Sequence, residues 1–354
     1  MSRRTRGPRA RRRRRVLVWG AVVVLLVGAG LGGVAVWQNT YALREERVTV
    51  RHDGRLLDGV LARPANGAGP FGLVVFVHGD GAVDATHETF YRPVWEAFAK
   101  AGYASLSLSK PGVGASEGNW LDQSMDDRAD ETLAAIAWAR TRPGIDGRRI
   151  GLWGASQAGW VLPKVAARDR AVRFVIAVSP AVDWQQQGRY NLLAELRKNG
   201  ASRDETQTAL RRRETTLDLL RQGATFERYR NAVGRNDGMT AERWRFIARN
   251  YRSNAAEDLR AMRGTPTLLV LAGHDINVDV ADTESAYRRV LPPDSLTVRH
   301  YPDATHSLVD NAVENSEPRL TLTAVFAPRR LYAAGFLAEQ HRFVRQFTDR
   351  QGTD

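Results

Sequence analysis

The sequence RIGLWGASQAG, residues 149–159, joins a strand pattern to a tight turn of small residues. Its first part, Arg149–Trp153, is a largely apolar run that predicts a buried strand. Ser156 follows, with Gly154 and Ala158 two positions away on either side, where a helix is expected to begin. A serine in a strained strand-to-helix turn needs such small neighbours, because larger side chains would clash. The stretch therefore predicts a serine hydroxyl exposed at the carboxyl end of a sheet strand.

Strands and helices alternate on both sides of this turn. The other runs expected to form buried strands are Leu73–Val77, Tyr103–Leu108, Val172–Val178, Thr267–Ala272 and Leu296–Tyr301. The predicted helices are Tyr91–Ala101, Asp126–Arg140, Ser156–Ala167 with a kink at Pro163, and Leu331–Phe347. Arg47–Arg51 and Leu56–Ala62 favour a hairpin. This alternation predicts an α/β fold with a mostly parallel central sheet and helices on both faces.

Residues 183–263 interrupt the alternation. They contain no buried-strand run, are rich in Arg, Glu, Gln and Leu, and show helical spacing at Leu192 and Leu196. A helical lid inserted between two core strands fits this pattern better than a second domain in tandem. The insertion divides the predicted core into residues 47–182 and 264–350.

A glycine-rich turn, His78-Gly79-Asp80-Gly81, comes directly after a predicted buried strand. It is interpreted either as a simple turn capped by a histidine or as an oxyanion loop. In the second case, the backbone N–H groups of Asp80 and Gln157 form the oxyanion hole. His78 then holds the loop in place and is not the catalytic base.

Two further motifs place an acid and a histidine after late strands. Asp275 follows the run TLLVL, and His306 lies in the loop after SLTVRHY. An aspartate at the end of a core strand is suited to orient an imidazole, which then takes the serine proton. Asp279 and Asp282 are alternatives for the acid. The chain order Ser156, Asp275, His306 predicts a catalytic triad.

Three tryptophans are expected near the rim of this site: Trp120, Trp160 and Trp184. They suggest an apolar or aromatic acyl or leaving group, although ordinary core or lid packing is the favoured explanation of these residues. The proposed chemistry needs no cofactor and no metal, and the sequence has no zinc-binding His-Glu-x-x-His motif. The glycine loop around Gly112 and Gly114 has no Lys-Ser/Thr after it, which argues against nucleotide binding.

The charge of the chain is concentrated at one end. The 354 residues carry a formal net charge of +13, and residues 1–15 contain nine arginines and no acid. The remaining sequence therefore carries only +4, the difference between +13 and +9. This distribution gives no support for nucleic-acid binding by the rest of the chain. Cysteine is absent, which excludes disulfides, thiolate metal sites and a cysteine nucleophile.

The residues after the basic tail predict a membrane segment. Residues 16–37 contain no charged side chain, and as a helix they are long enough to cross the roughly 30 Å hydrocarbon layer. Arginines are retained in the cytoplasm, so residues 1–15 are expected to form a cytoplasmic tail. A linker, 38–46, would then lead to a catalytic domain outside the cytoplasm. A cleaved signal, including a twin-arginine signal, would instead give a secreted protein, and a buried core helix is the third alternative.

Together these motifs resemble the α/β-hydrolase superfamily over about residues 45–350. The turn at His78, the loop Lys110–Ser116 and the sequence Ser-Gln-Ala-Gly-Trp are similar to those of prolyl-oligopeptidase-like and dienelactone-hydrolase-like serine esterases. They are also similar to the acyl-CoA thioesterase and bile-acid acyltransferase group. Ser109 stands where these families usually have aspartate before the Gly-x-Gly loop, which leaves the geometry of that loop open.

The resemblance implies an α/β-hydrolase fold and a serine hydrolase that works through an acyl-enzyme. We expect a membrane-anchored, extracytoplasmic enzyme that cleaves a small-molecule acyl ester. A peptidase or thioesterase with the same triad is one alternative. A catalytically inactive hydrolase-fold binding protein is another, although such proteins typically lose a triad residue and this chain has a candidate for each.

Overall fold

The computed structural model describes residues 28–234 and 238–348. The basic tail, 1–15, and residues 16–27 of the predicted membrane segment lie outside this described part. Residues 28–38 form a helix, here α1. Within the described part of the chain, no helix is both long and apolar enough to cross a membrane.

The described strands form one sheet of eight. They are β1 (Leu43–His52), β2 (Arg55–Pro64), β3 (Phe71–Val77), β4 (Tyr103–Leu108), β5 (Ile145–Ala155), β6 (Val172–Val178), β7 (Thr267–His274) and β8 (Leu296–Thr305). Their order in the sheet is β1-β2-β4-β3-β5-β6-β7-β8. β2 pairs antiparallel with both β1 and β4, and every pairing from β4 to β8 is parallel. The carboxyl ends of β3 and β5–β8 therefore meet at one edge, where ligands bind in folds of this type.

The helices after α1 are α2 (Arg92–Lys100), α3 (Met125–Arg140), α4 (Leu162–Arg168), α5 (Trp184–Lys198), α6 (Arg203–Arg221), α7 (Phe226–Val233), α8 (Ala241–Asn250), α9 (Ala256–Ala261), α10 (Val280–Val290), α11 (Asn311–Glu314), α12 (Glu317–Phe326) and α13 (Phe336–Arg345). Helices such as α2, α3, α4 and α13 cover both faces of the sheet. Neighbouring strand residues face opposite sides. Val75 and Leu152 accordingly pack with α3 and α4, whereas Phe76 and Phe174 pack with α2 and α13. Burial on both faces explains the continuous apolar run of β3.

Helices α5–α9 lie between β6 and β7, in the segment where the strand pattern is interrupted. They have a small apolar cluster of their own, which includes Leu217, Leu220, Tyr229 and Trp244. Trp184 packs against both this cluster and the core beneath it. The helical insertion is therefore joined to the sheet by apolar contact as well as by chain connection.

Two helices differ from the sequence prediction. The segment after Ser156 is a short 3-10 helix, Ser156–Trp160, and α4 begins only at Leu162. Pro163 lies in the first turn of α4, where backbone N–H groups have no intrahelical acceptor. The N–H that proline lacks therefore costs no helical hydrogen bond, and Pro163 does not kink a longer helix. The last helix begins at Phe336 and not at Leu331.

Candidate active site

Ser156 lies at the turn between β5 and the short 3-10 helix. Its φ is +56°, in the left-handed region that residues other than glycine rarely adopt. A Cβ added to Gly154 would lie 2.6 Å from the Cβ of Ala158, and one added to Gly159 would lie 2.3 Å from the carbonyl oxygen of Ala181. The turn therefore requires glycine at both positions. Ser156 lines the cavity at the carboxyl edge of the sheet.

Asp275 and His306 form a hydrogen-bonded pair. Nδ1 of His306 lies 2.7 Å from Oδ2 of Asp275. The other carboxylate oxygen, Oδ1, accepts hydrogen bonds from the backbone N–H groups of Asn277 and Val278, both at 2.8 Å. Asp275 is buried, and these donors fix its carboxylate toward the histidine. Nε2 of His306 is then the ring nitrogen that remains for proton transfer.

The structure brings Ser156 and His306 to the same cavity, which has a volume of about 510 Å³. Ser156 follows β5, Asp275 follows β7 and His306 follows β8, so all three lie at the carboxyl edge of the sheet. The alternative acid Asp279 caps α10 by accepting a hydrogen bond from the N–H of Asp282. Asp275 is thus the acid that contacts the histidine.

The loop after β3 packs against the nucleophile turn. A Cβ added to Gly79 would lie 3.4 Å from the Cβ of Ser156. Asp80 lines the cavity, and its Oδ1 accepts a hydrogen bond from Nε2 of Gln157 at 3.0 Å. Gln157 lies in the first turn of the 3-10 helix, where backbone N–H groups have no intrahelical acceptor. Asp80 and Gln157, the predicted oxyanion residues, are therefore in contact, and Gly79 lies against Ser156.

His78 is buried beneath this loop. Its Nε2 lies 2.7 Å from the carbonyl oxygen of Leu108, and its Nδ1 lies 3.2 Å from the hydroxyl of Tyr91. Burial, with the nearby charge of Lys110, lowers the pKa of His78 to about 3. The imidazole is neutral at ordinary pH and anchors the loop.

Two buried cations hold the same loop and were not predicted from the sequence. Nη2 of Arg128 donates to the carbonyl oxygen of His78 at 2.5 Å, and Nη1 donates to Oε1 of Gln157 at 2.6 Å. Nζ of Lys110 donates to the carbonyl oxygen of Gly79 at 2.5 Å. Burial lowers the pKa of both cations. Arg128 thus links the loop after β3 to Gln157, the residue that follows Ser156.

The insertion also contacts the oxyanion loop. Arg243, in α8, donates to both carboxylate oxygens of Asp80, at 2.9 and 2.5 Å. Burial acts to raise the pKa of Asp80, but the hydrogen bonds and charge of Arg243 outweigh it and lower the pKa. Asp80 therefore remains ionised and connects the loop to the insertion.

Two of the three predicted tryptophans line the cavity. The rings of Trp160 and Trp184 stack with their centroids 4.9 Å apart, and both contribute to the wall. Trp120 is not among the residues that line the cavity. Its ring packs against Phe246 and lies beneath the guanidinium of Arg243, at 5.6 Å, and Arg243 itself lines the cavity.

No metal-binding group was found in the described residues, where no three His, Cys, Asp or Glu side chains are arranged to hold an ion. The cavity wall is mixed, with aromatic side chains such as Trp160 and Trp184 beside polar ones such as Gln187, Asn191 and Asn277. The site therefore combines a strained serine, an oriented histidine, backbone donors and a partly aromatic wall.

This fold and site define the chain as an α/β-hydrolase. An esterase from Pyrococcus furiosus has a similar structure, with a TM-score of 0.54 and 15% identity over 86% of this chain and 91% of the esterase. The family model of the X-Pro dipeptidyl-peptidases (S15 family) matches residues 53–302, which is more than half of the chain. The chain belongs to this family and thus to the class of serine hydrolases.

Curated relatives match shorter segments. A thiohydrolase of Aspergillus aculeatus, AneE, is 31% identical over 37% of this chain and 38% of its own length. The quorum-quenching protein AidA of Acinetobacter baumannii is 33% identical over 31% of this chain and 36% of its own length. The chain thus matches well under half of the length of either relative.

Proposed function

We propose that the chain is a membrane-anchored serine hydrolase that cleaves an acyl ester by a Ser156–His306–Asp275 triad. The observation that carries this proposal is the 2.7 Å contact between His306 Nδ1 and Asp275, in a site where Ser156 faces the same cavity as His306. The strained backbone of Ser156 adds support, because such strain is concentrated at functional sites.

The mechanism follows from the roles of these atoms. Nε2 of His306 takes the proton of Ser156 as Oγ bonds to the acyl carbon, and Asp275 stabilises the resulting imidazolium. The N–H groups of Asp80 and Gln157 donate to the oxyanion. When the ester C–O bond breaks, the leaving alcohol takes the proton from His306. His306 then deprotonates a water molecule, whose oxygen attacks the acyl-enzyme to release the acid and restore Ser156.

The cavity wall favours an ester over a peptide with a free amino terminus. Asp80 is the one acidic residue among the side chains that line the cavity, and Arg243 already neutralises it. A substrate ammonium group would therefore lack a carboxylate partner there. The stacked Trp160 and Trp184 provide an apolar surface suited to an acyl chain or aromatic group.

Peptide and thioester cleavage are the alternative activities for the same triad. Membership of the X-Pro dipeptidyl-peptidase family supports a peptidase, and the likeness to the thiohydrolase AneE supports a thioesterase. The three activities share the acyl-enzyme chemistry and differ in the leaving group. A substrate panel therefore separates them.

The location we propose is the cell membrane, with the catalytic domain outside the cytoplasm. The support is the uncharged sequence of residues 16–37 beside nine arginines, whose retention in the cytoplasm sets this orientation. The described end of this segment, α1, exposes Val36 and Trp37 with 71% of each side chain accessible. Secretion after cleavage of the segment is the alternative.

The proposed activity is tested with a fluorophosphonate probe on the wild-type chain, Ser156→Ala and His306→Ala. We expect adduct formation at Ser156 in the wild type and a loss of labelling rate of at least about 10³-fold in both variants. His300→Ala is the matched control, because this exposed histidine pairs with Glu284 and lies outside the triad. It should label like the wild type.

Substrate preference is then measured with p-nitrophenyl esters, acyl-CoA thioesters and Xaa-Pro anilides. The ester proposal predicts the highest kcat/KM on the esters. A higher kcat/KM on the anilides would favour the peptidase instead, and a higher kcat/KM on the thioesters would favour the thioesterase. An unlabelled but folded wild type would contradict the triad itself.

A further inference from the structure

Large exposed apolar side chains occur in only two elements of the described chain. Four lie in α1, and two lie in α12. They are Leu31, Val34, Val36, Trp37, Leu322 and Val325. α12 has no buried residue at all, although most of its second half is apolar. Isolated exposed apolar residues are ordinary, but confinement of the whole set to two helices marks an interaction surface.

The two helices are joined to each other and to the core. Nδ2 of Asn39, just after α1, donates to the carbonyl oxygen of Val325 in α12 at 2.7 Å. Arg329, three residues after α12, donates to the carbonyl oxygens of Gln38 and Thr40. Arg329 also forms a two-point ion pair with Glu96 of α2. The exposed apolar residues therefore belong to one fixed surface, here called the α1–α12 surface.

The chain order indicates what covers this surface. Residues 28–37 of α1 are the described end of the proposed membrane segment, 16–37, which is uncharged throughout. Trp37 lies at the end of that segment, as tryptophans do at the boundary between a membrane and water. α12 contacts the chain at this boundary through the hydrogen bond from Asn39 to Val325. Its exposed apolar side chains, Leu322 and Val325, are therefore suited to enter the membrane interface beside α1.

Charge plays a smaller part in this contact. Arg319 and Arg330 are exposed at the two ends of the α12 region, and so are the acids Glu314 and Glu317. The local charge is therefore balanced. Apolar contact, and not attraction to anionic headgroups, accounts for the binding we infer here.

A second cavity lies beside α12 and borders the active-site cavity. It has a volume of about 300 Å³ and is lined on one side by Leu320 and Ala324 of α12. Its other wall includes His87, Phe90 and Ser307, which also line the active-site cavity. The two cavities thus share a wall beside the triad histidine.

We propose that the α1–α12 surface docks on the lipid bilayer and holds the second cavity against it. This inference rests on the membrane anchor of the proposed function. It identifies the substrate class as esters whose acyl chain is dissolved in the bilayer. Such a chain enters between α12 and the loop at Phe90 and reaches Ser156 from the membrane side.

The test uses the whole 354-residue chain in phosphatidylcholine vesicles. Because the chain has no cysteine, a single introduced cysteine can be labelled with one fluorophore, and no other residue is labelled. An NBD group is attached at Leu322→Cys or Val325→Cys, both exposed positions. The matched control is Arg148→Cys, whose native side chain is 90% exposed near the start of β5, away from the carboxyl edge.

Docking predicts that both α12 labels shift their emission to shorter wavelength and are quenched by nitroxide-labelled lipid. The Arg148→Cys label should remain sensitive only to a water-soluble quencher. Chains that float with the vesicles but show no lipid quenching at α12 would overturn docking and leave the anchor intact. Chains that do not float would overturn both.

A kinetic measurement separates docking from the proposed activity. The double variant Leu322→Asp/Val325→Asp should lose activity on a long-chain ester embedded in vesicles and keep that on a water-soluble acetate ester. Equal activity of the variant and wild type on the embedded ester would contradict delivery from the membrane. Absence of ester hydrolysis in the wild type would reject the esterase function, whereas the fluorescence result would stand.

Discussion

Ser156 is held in a backbone conformation that its side chain disfavours. A left-handed φ costs a residue with a Cβ about 1–2 kcal/mol, and Ser156 has a φ of +56°. The cost is offset by the packing that fixes the turn, where Gly154 and Gly159 leave no room for adjustment. The strained turn therefore fixes the direction in which the Ser156 side chain leaves the backbone.

The strain predicts that two variants of Ser156 with the same loss of activity differ in stability. Ser156→Gly and Ser156→Ala should both abolish probe labelling. Glycine accepts the left-handed φ, so Ser156→Gly should be more stable than Ser156→Ala by about 1 kcal/mol. Chemical denaturation of both variants measures this difference. If the alanine variant were equally stable, the turn would not store strain.

The triad candidates were predictable from sequence for a physical reason. Ser156, Asp275 and His306 each follow a recognisable strand, and the carboxyl ends of parallel strands meet at one edge. Arg128 was missed because an arginine within an amphipathic helix usually belongs to the solvated face. Its burial against the loop at His78 depends on how α3 packs, which the sequence pattern does not give.

At the scale of elements, buried strands were predicted best. The bounds of β6, Val172–Val178, are those of its apolar run. β8 extends past the predicted end at Tyr301 to Thr305, because an edge strand tolerates Pro302 and polar residues. α12 was not predicted from the sequence. Its apolar residues do not pack on a core, so they do not form the stripe at helical spacing that indicates a helix.

The contact of Glu96, in α2, with Ala42 and Arg329 contributes a stability that depends on pH. Burial acts to raise the pKa of Glu96, but hydrogen bonds from Arg329 and the N–H of Ala42 lower it from 4.5 to about 2. The folded state therefore stabilises the ionised form of Glu96 relative to the unfolded chain. The stability from Glu96 is present above pH 4.5 and is lost as the pH falls toward about 2.

Glu96→Gln should accordingly lower the thermal midpoint at pH 7. The difference from wild type should shrink as the pH falls from 4.5 toward about 2, because the Glu96 carboxyl of the folded state is protonated over that range and both side chains end up neutral. Thermal unfolding followed by circular dichroism at several pH values measures it. Glu214→Gln, at an exposed surface pair, is the control and should change the midpoint little. A difference that does not vary with pH would indicate a packing effect instead.

At the scale of the whole molecule, the insertion contacts both halves of the site. Arg243 binds Asp80 on the oxyanion side. On the acid side, the hydroxyl of Tyr190 donates to the carbonyl oxygen of Asp275 at 2.8 Å, and Gln187 donates to that of Asn277. The position of the insertion is therefore coupled to both loops that orient the catalytic groups.

Loss of the Arg243 contact should slow catalysis, because it leaves the negative charge of Asp80 without its partner. In Arg243→Met, the Asp80 carboxylate would lose its partner beside the developing oxyanion. We expect kcat to fall by about tenfold, which is less than the loss of an oxyanion donor. Adding Asp80→Asn removes the charge and should restore part of the rate. A double variant no faster than Arg243→Met would point to misplacement of the insertion.

The connection between α1 and β1 is short and held in place. α1 ends at residue 38 and β1 begins at Leu43, and Arg329 holds both Gln38 and Thr40. Even a fully extended stretch of four residues would span only about 14 Å. In the membrane-anchored form that we propose, so short a connection would hold the catalytic domain at the membrane surface. Turnover should then scale with the surface density of substrate in that layer, and not with the amount dissolved in the surrounding volume.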